Sequence, residues 1–101
     1  MIQVNFTPLS VEMKGHAHYA NAGQDIVCAA ASAIAISLIQ AMNKFIAKQD
    51  VVLEEAEGYL YFEIIKQQPI AAELLQSMKE TLQELELQFP NQIRVKENFI
   101  K

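Results

Sequence analysis

Ile2-Gln3-Val4-Asn5-Phe6-Thr7-Pro8-Leu9-Ser10-Val11-Glu12-Met13-Lys14-Gly15 decides the fold class of this chain. Ile2, Val4 and Phe6 alternate with Gln3, Asn5 and Thr7, the period of a strand with one buried face. Thr7-Pro8-Leu9-Ser10 reads as a turn. Val11 and Met13 then return as a second short strand, antiparallel to the first, that gives out at Gly15. A hairpin at the start predicts a sheet built largely from antiparallel pairs.

Further along, Ile26 through Ile46 reads as a helix, with Asp25 as its N-cap. Ala29, Ala30 and Ala31 would let another element approach closely. Ala47-Lys48-Gln49-Asp50 ends it. Val51-Val52-Leu53-Glu54-Glu55 is β-branched and short, Ala56-Glu57-Gly58 turns, and Leu60, Phe62 and Ile64 alternate with Tyr59, Tyr61 and Glu63. This is a second hairpin. Pro69 opens a second helix at its first position. Ile70, Leu74, Met78, Leu82, Leu85 and Phe89 form its expected apolar stripe, with Glu73, Lys79, Glu80, Glu84 and Glu86 on the solvated side. Pro90-Asn91 stops it, and Ile93, Val95 and Phe99 suggest a last strand. The order is ββαββαβ: an α+β fold, a mostly antiparallel sheet with two helices packed on it.

The chain has 101 residues, which sets residues 1–101 as a single domain. Hydrophobic residues make up 51%, too many for a disordered chain. Net charge is -4 and the eight basic residues form no block, so nucleic-acid and anionic-membrane binding have no support. Ile26 to Asn43 carries no charge, but its alanines, serines and glutamine, and the lack of flanking anchors, argue against a membrane span. A helix apolar all round is instead expected at the buried centre of a small domain or in a dimer interface. The single cysteine excludes an internal disulfide and suits a reducing compartment. No signal peptide is read, and a cytoplasmic location is expected.

Chemistry concentrates between Gly15 and Cys28, which hold the only cysteine and both histidines. With Asp25 as N-cap, Cys28 falls in the first helical turn, where unpaired N–H groups and the helix dipole favour an anion. That environment lowers a thiol pKa from its usual value of about 8.5. His16 is placed to pair with the thiolate and return a proton to a leaving amine. The same N–H groups are candidate donors to a developing oxyanion. Ser32 lies one turn further on the Cys28 face, available to the site or bonded back to the Cys28 carbonyl. On physics alone, a lone cysteine in an alanine-rich helix is more often an inert core residue than a nucleophile. Cys28, His16 and His18 with Asp25 would make a poor zinc set, because paired-cysteine spacings are missing. No metal or other cofactor is expected.

Gly15-His16-Ala17, then Tyr19-Ala20, Gly23, Asp25-Ile26-Val27-Cys28-Ala29-Ala30 and Ser32-Ala33 resemble the ribosomal-processing cysteine protease Prp family. The resemblance extends over essentially the whole chain. It implies an endopeptidase with Cys28 as nucleophile and His16 as general base and acid. It also implies supporting roles for Gly15, Asp25 and Ser32. A loop of Ala17, His18, Tyr19, Ala20, Asn21, Ala22, Gly23 and Gln24 would cover the substrate. The implied substrate is a ribosomal protein precursor that loses a short N-terminal extension after an aromatic residue. A phage or prophage relative would instead process a capsid or scaffold precursor, and a non-catalytic relative would only bind one. A homodimer is implied as well. Two features depart from the family pattern: the first hairpin has only a tight turn, and His18 stands where a small or polar residue is expected.

Overall fold

The computed structural model describes residues 1–15, 22–66 and 68–98. The opening alternation forms β1 (Ile2–Thr7) and β2 (Ser10–Lys14), antiparallel in register from Thr7↔Ser10 to Gln3↔Lys14. Across the tight turn the Thr7 and Ser10 hydroxyls are 2.5 Å apart, and the Leu9 amide donates to Thr7 Oγ1. Helix α1 (Ala22–Met42) follows, then a single 3₁₀ turn (Lys48–Asp50) and a second hairpin, β3 (Val51–Ala56) and β4 (Tyr59–Ile64). Helix α2 (Pro69–Gln88) and β5 (Ile93–Glu97) complete the order expected from the sequence. Phe99, expected to extend the last strand, lies outside the described residues.

Strand order is β3-β4-β2-β1-β5. Three of the four pairings are antiparallel, and β1 with β5 is parallel. Two crossovers follow from these directions: β2-α1-β3 passes over β4 one way, and β4-α2-β5 passes over β2 and β1 the other way. The starting strands β2 and β4 also run in opposite directions. Right-handed connections therefore put both helices on the same face. One core fills the space between the layers, with Ile2, Val4, Phe6, Val11, Met13, Phe62, Ile64 and Ile93 from the sheet. Val27, Ala31, Ala35, Met42, Leu75, Met78 and Leu82 meet them from the helices.

The structure corrects the apolar stripe of α2. Its buried residues are Ala71, Leu75, Met78 and Leu82, while Ile70 is 54% exposed. At about 100° per residue, Ile70 lies about 80° from the line through Met78, whereas Ala71 lies about 20° from it. Leu74, Leu85 and Phe89 are half-buried at the margins. Two charges assigned to the solvated side instead fasten α2 to the edge strand β5. Lys79 Nζ is 2.7 Å from Glu97 Oε1, and Glu86 Oε2 accepts the Val95 amide at 3.2 Å. An edge strand exposes unpaired amides, and Glu86 covers one of them.

Helix α1 is also displaced from its expected span. It starts four residues before Ile26 and ends at Met42. Ile46 is still buried, held by one further turn in which its amide donates to the Met42 carbonyl. The helix does not lie at the centre of the domain: Ile26, Ala29, Ala33, Ile36 and Gln40 are exposed. Among the described residues no helix is long and apolar enough to cross a membrane.

Candidate active site

Strand β2 ends at Gly15, and the glycine is needed there twice over. Its φ is +94°, a left-handed conformation that side chains resist, and a Cβ would lie 2.6 Å from the Met1 carbonyl oxygen. Its amide donates to the Gly58 carbonyl in the β3–β4 turn at 3.1 Å. The end of β2 is thereby tied to the neighbouring hairpin before the chain enters the segment of interest. His16, Ala17, His18, Tyr19, Ala20 and Asn21 lie outside the described residues.

The chain resumes as helix. Ala22, Gly23 and Gln24, expected in a covering loop, are the first three residues of α1, and Asp25 is the fourth rather than the N-cap. Alanine and glutamine favour helix and offset the single unfavourable Gly23, so the helix does not wait for Asp25. Cys28 is consequently the seventh helical residue. Its amide lies beyond the four N–H groups that a helix start leaves unpaired, so the first-turn environment expected for the thiol is not its setting. The same displacement removes the Cys28 amide as an oxyanion donor.

What α1 does provide is placement. Cys28 is a free thiol, half-buried and packed against the core beside buried Val27 and Ala31. Ser32 stands one turn on, about 40° around the helix from Cys28. The hydroxyls of Ser37 and Thr81 bond back to carbonyls four residues earlier, Ala33 and Ser77. Ser32 makes no hydrogen bond to another described residue, so the back-bonded reading does not hold. Its side chain lines a hollow between α1 and the β3–β4 hairpin.

That hollow adjoins a second, with Ile36, Glu55 and Leu60 lining both. Together they form a groove whose floor and walls include Ala35, Ile36, Ile39, Leu53 and Leu60. Among the described residues lining the two hollows, Glu55 carries the only charge. Sequence reasoning missed this groove because it read the uncharged length of α1 as buried. The available signal was the change within β3 from Val51-Val52-Leu53 to Glu54-Glu55, which marks a strand that is not covered on both faces.

The opposite face of the sheet is polar. Tyr59 donates to Glu12 Oε2 at 3.0 Å and Tyr61 to Glu63 Oε1 at 2.7 Å. Both phenols are held above the ordinary tyrosine value. Desolvation leads at Tyr59, followed by its bond to Glu12; at Tyr61 the bond to Glu63 leads. Among the described residues no three His, Cys, Asp or Glu side chains gather as a metal-ligand group.

A half-buried thiol thus stands on the helix that walls an apolar groove, in a two-layer α+β fold. The model of the cysteine protease Prp family matches residues 1–94, and the chain belongs to that family. It is a cysteine protease, a hydrolase. The ribosomal processing cysteine protease Prp of Bacillus subtilis (strain 168) is 33% identical over 98 residues, which cover 91% of this chain and 88% of the relative. The essential ribosomal processing protease Prp from S. aureus, crystallised with a substrate peptide, is similar in structure with a TM-score of 0.87. That match has 26% identity and covers 97% of this chain and all of the other. The same protease with a covalently linked product peptide gives a TM-score of 0.84 at 27% identity and the same coverage.

Proposed function

We propose that this protease removes a short N-terminal extension from a large-subunit ribosomal protein, cutting after an aromatic residue, with Cys28 as nucleophile and His16 as its base. The observation that carries the reading is that a member of a cysteine protease family has one cysteine, and that cysteine is half-buried one turn before Ser32, on the helix that walls the groove. Its relatives are ribosomal processing proteases, which supports the substrate class. The resemblance in the Gly15-His16-Ala17 segment supports His16 over His18.

In this mechanism His16 takes the Cys28 proton as sulfur attacks the scissile carbonyl carbon. The tetrahedral oxyanion collapses, the C–N bond breaks, and protonated His16 gives its proton to the departing amine. Water, deprotonated by His16, then hydrolyses the thioester and returns the thiol. Ser32, whose hydroxyl has no hydrogen-bond partner among the described residues, is a hydrogen-bond donor for this site. Asp25 and Gly15 support it, Gly15 by fixing where the chain leaves β2. Within the family resemblance the protein works as a homodimer in the cytoplasm, and the uncharged exposed stripe of Ile26, Ala29 and Ala33 on α1 suits burial against a second copy.

The test is cleavage of the ribosomal precursor and of a peptide bearing paired phenylalanines. Cys28→Ala and His16→Ala should abolish it, with His18→Ala retaining it. Unchanged cleavage by Cys28→Ala would sink the reading.

A further inference from the structure

We propose that the chain continues past Asn98 as a strap. Phe99 adds one inward-facing position to β5 and seats its ring in a hollow between α2 and the β1–β2 turn. The strap closes the core at the end of the fold away from Cys28, and it does not depend on which residue is the nucleophile.

Three observations converge on Phe99 as the occupant. The first is the ladder. Strand β5 pairs with β1 in register from Ile2↔Ile93 to Phe6↔Glu97. The pairing runs on past Glu97, because the Asn98 amide donates to the Phe6 carbonyl at 2.7 Å. Alternate side chains of a strand share one face. Ile93 is buried, Val95 packs against the core, and Glu97 meets Lys79 of α2. Arg94, Lys96 and Asn98, between and after them, are exposed. The next position on the inward face is Phe99, and the same register sets it opposite Pro8.

The second observation is a hollow at that level. Strand β4 runs parallel to β1 and β5, and α2 returns from its end, so α2 runs opposite to β5. The contact of Lys79 Nζ with Glu97 Oε1 at 2.7 Å fixes where the two elements face each other. One further inward position on β5 lies about 6.6 Å on. The same distance along α2, at about 1.5 Å per residue, leads back about four residues from Lys79, to Leu75 and Gln76. There the hollow is lined by Phe6, Thr7 and Pro8 from the hairpin and by Ala72, Leu75 and Gln76 from α2.

The third observation is the chemistry of the lining. Phe6 and Leu75, 1% and 2% exposed, are fully committed core residues with apolar surfaces. Pro8 offers ring carbons and no N–H, and Ala72 ends at its Cβ. The polar groups around the hollow have partners already. The Thr7 hydroxyl meets that of Ser10, Gln76 donates to Glu80, and Lys79 holds Glu97. A charged occupant would lose its hydration here and gain no partner, whereas an aromatic ring buries apolar area. Val95 and Phe99 then flank the Lys79–Glu97 pair on β5 and shield it from both sides.

The chain has no tryptophan, so Phe99→Trp places a single fluorophore at this position. In the intact protein its emission should lie to the blue of tryptophan in water, and acrylamide should quench it several-fold less than N-acetyltryptophanamide. Ala72→Glu, added to that variant, puts a charge into the hollow at a half-buried helix position. It should move the emission to the red and restore quenching. Leu87→Glu, at an exposed position on the same helix, should do neither. Circular dichroism checks that each variant is folded, and serial dilution separates the hollow from shielding by a second copy. Phe99→Ala in the natural background should also lower the urea midpoint with an unchanged slope. Water-like emission and full quenching in Phe99→Trp overturn the inference. Shielding that survives Ala72→Glu, shielding that is lost on dilution, or an unchanged midpoint in Phe99→Ala each overturn it as well.

Discussion

The Gly15 amide and the Gly58 carbonyl, 3.1 Å apart, join the exit of β2 to the β3–β4 turn, and both glycines have positive φ. The bond links the segment leading toward His16 to the hairpin that forms one wall of the groove. This main-chain bond extends the β2–β4 ladder to the point where the chain leaves the sheet.

Gly15→Ala should destabilise the fold by about 2 kcal/mol or more, since a strained left-handed residue costs about 1–3 kcal/mol and the Met1 carbonyl must also move. Urea denaturation would show a lower midpoint with an unchanged slope. Activity should fall further than stability at temperatures where the variant remains folded, because the chain leaves β2 at a different angle.

The two faces of α2 give a direct comparison. Leu75→Ala opens the core and should cost about 2–4 kcal/mol. Ile70→Ala, at a position 54% exposed, should cost less than about 1 kcal/mol. Equal costs would mean that the helix is rotated toward the stripe first read from the sequence.

Lys79 and Glu97 hold α2 against β5 with side chains 12% and 25% exposed. Lys79→Ala should lower stability by about 1–2 kcal/mol, because a shielded carboxylate loses its charged partner. Lys79→Met with Glu97→Gln should recover part of that loss. A double-mutant cycle by chemical denaturation measures the coupling.

Tyr59 and Tyr61 should ionise later than free tyrosine in an alkaline absorbance titration, and Tyr61→Phe should remove a late component. With folded values above the ordinary 10.0, the folded state holds more protons than the unfolded state in the window above that pH. The stability from these phenols is complete below about pH 10 and is lost as pH rises through the folded values. Glu63→Gln should narrow that window at Tyr61, where the bond to Glu63 is the leading cause.

The alternation of Ile2, Val4 and Phe6, of Val11 and Met13, and of Leu60, Phe62 and Ile64 determined by itself which strand faces are buried. Side-chain direction in a strand is fixed locally by the pleat. Pro69 likewise marked the start of α2, because proline fits the first helical position and few others. The sequence also concentrated the chemistry between Gly15 and Cys28, where the one thiol and both histidines fall. Tertiary structure decided what those local rules leave free. It paired β1 with β5 in parallel, placed β3 at an edge, and left Leu53 and Ile36 facing one another across a groove. It turned α2 onto Ala71 and Leu75 rather than Ile70, and it set Cys28 in the seventh position of α1. A helix start depends on a balance of weak propensities, and a helix's rotation depends on which neighbours it meets; neither is specified by the residues at that point alone. The resemblance thus marked Cys28 as the candidate nucleophile, but its surroundings came from the way two crossovers stack both helices on one face of the sheet and leave its outermost strand uncovered.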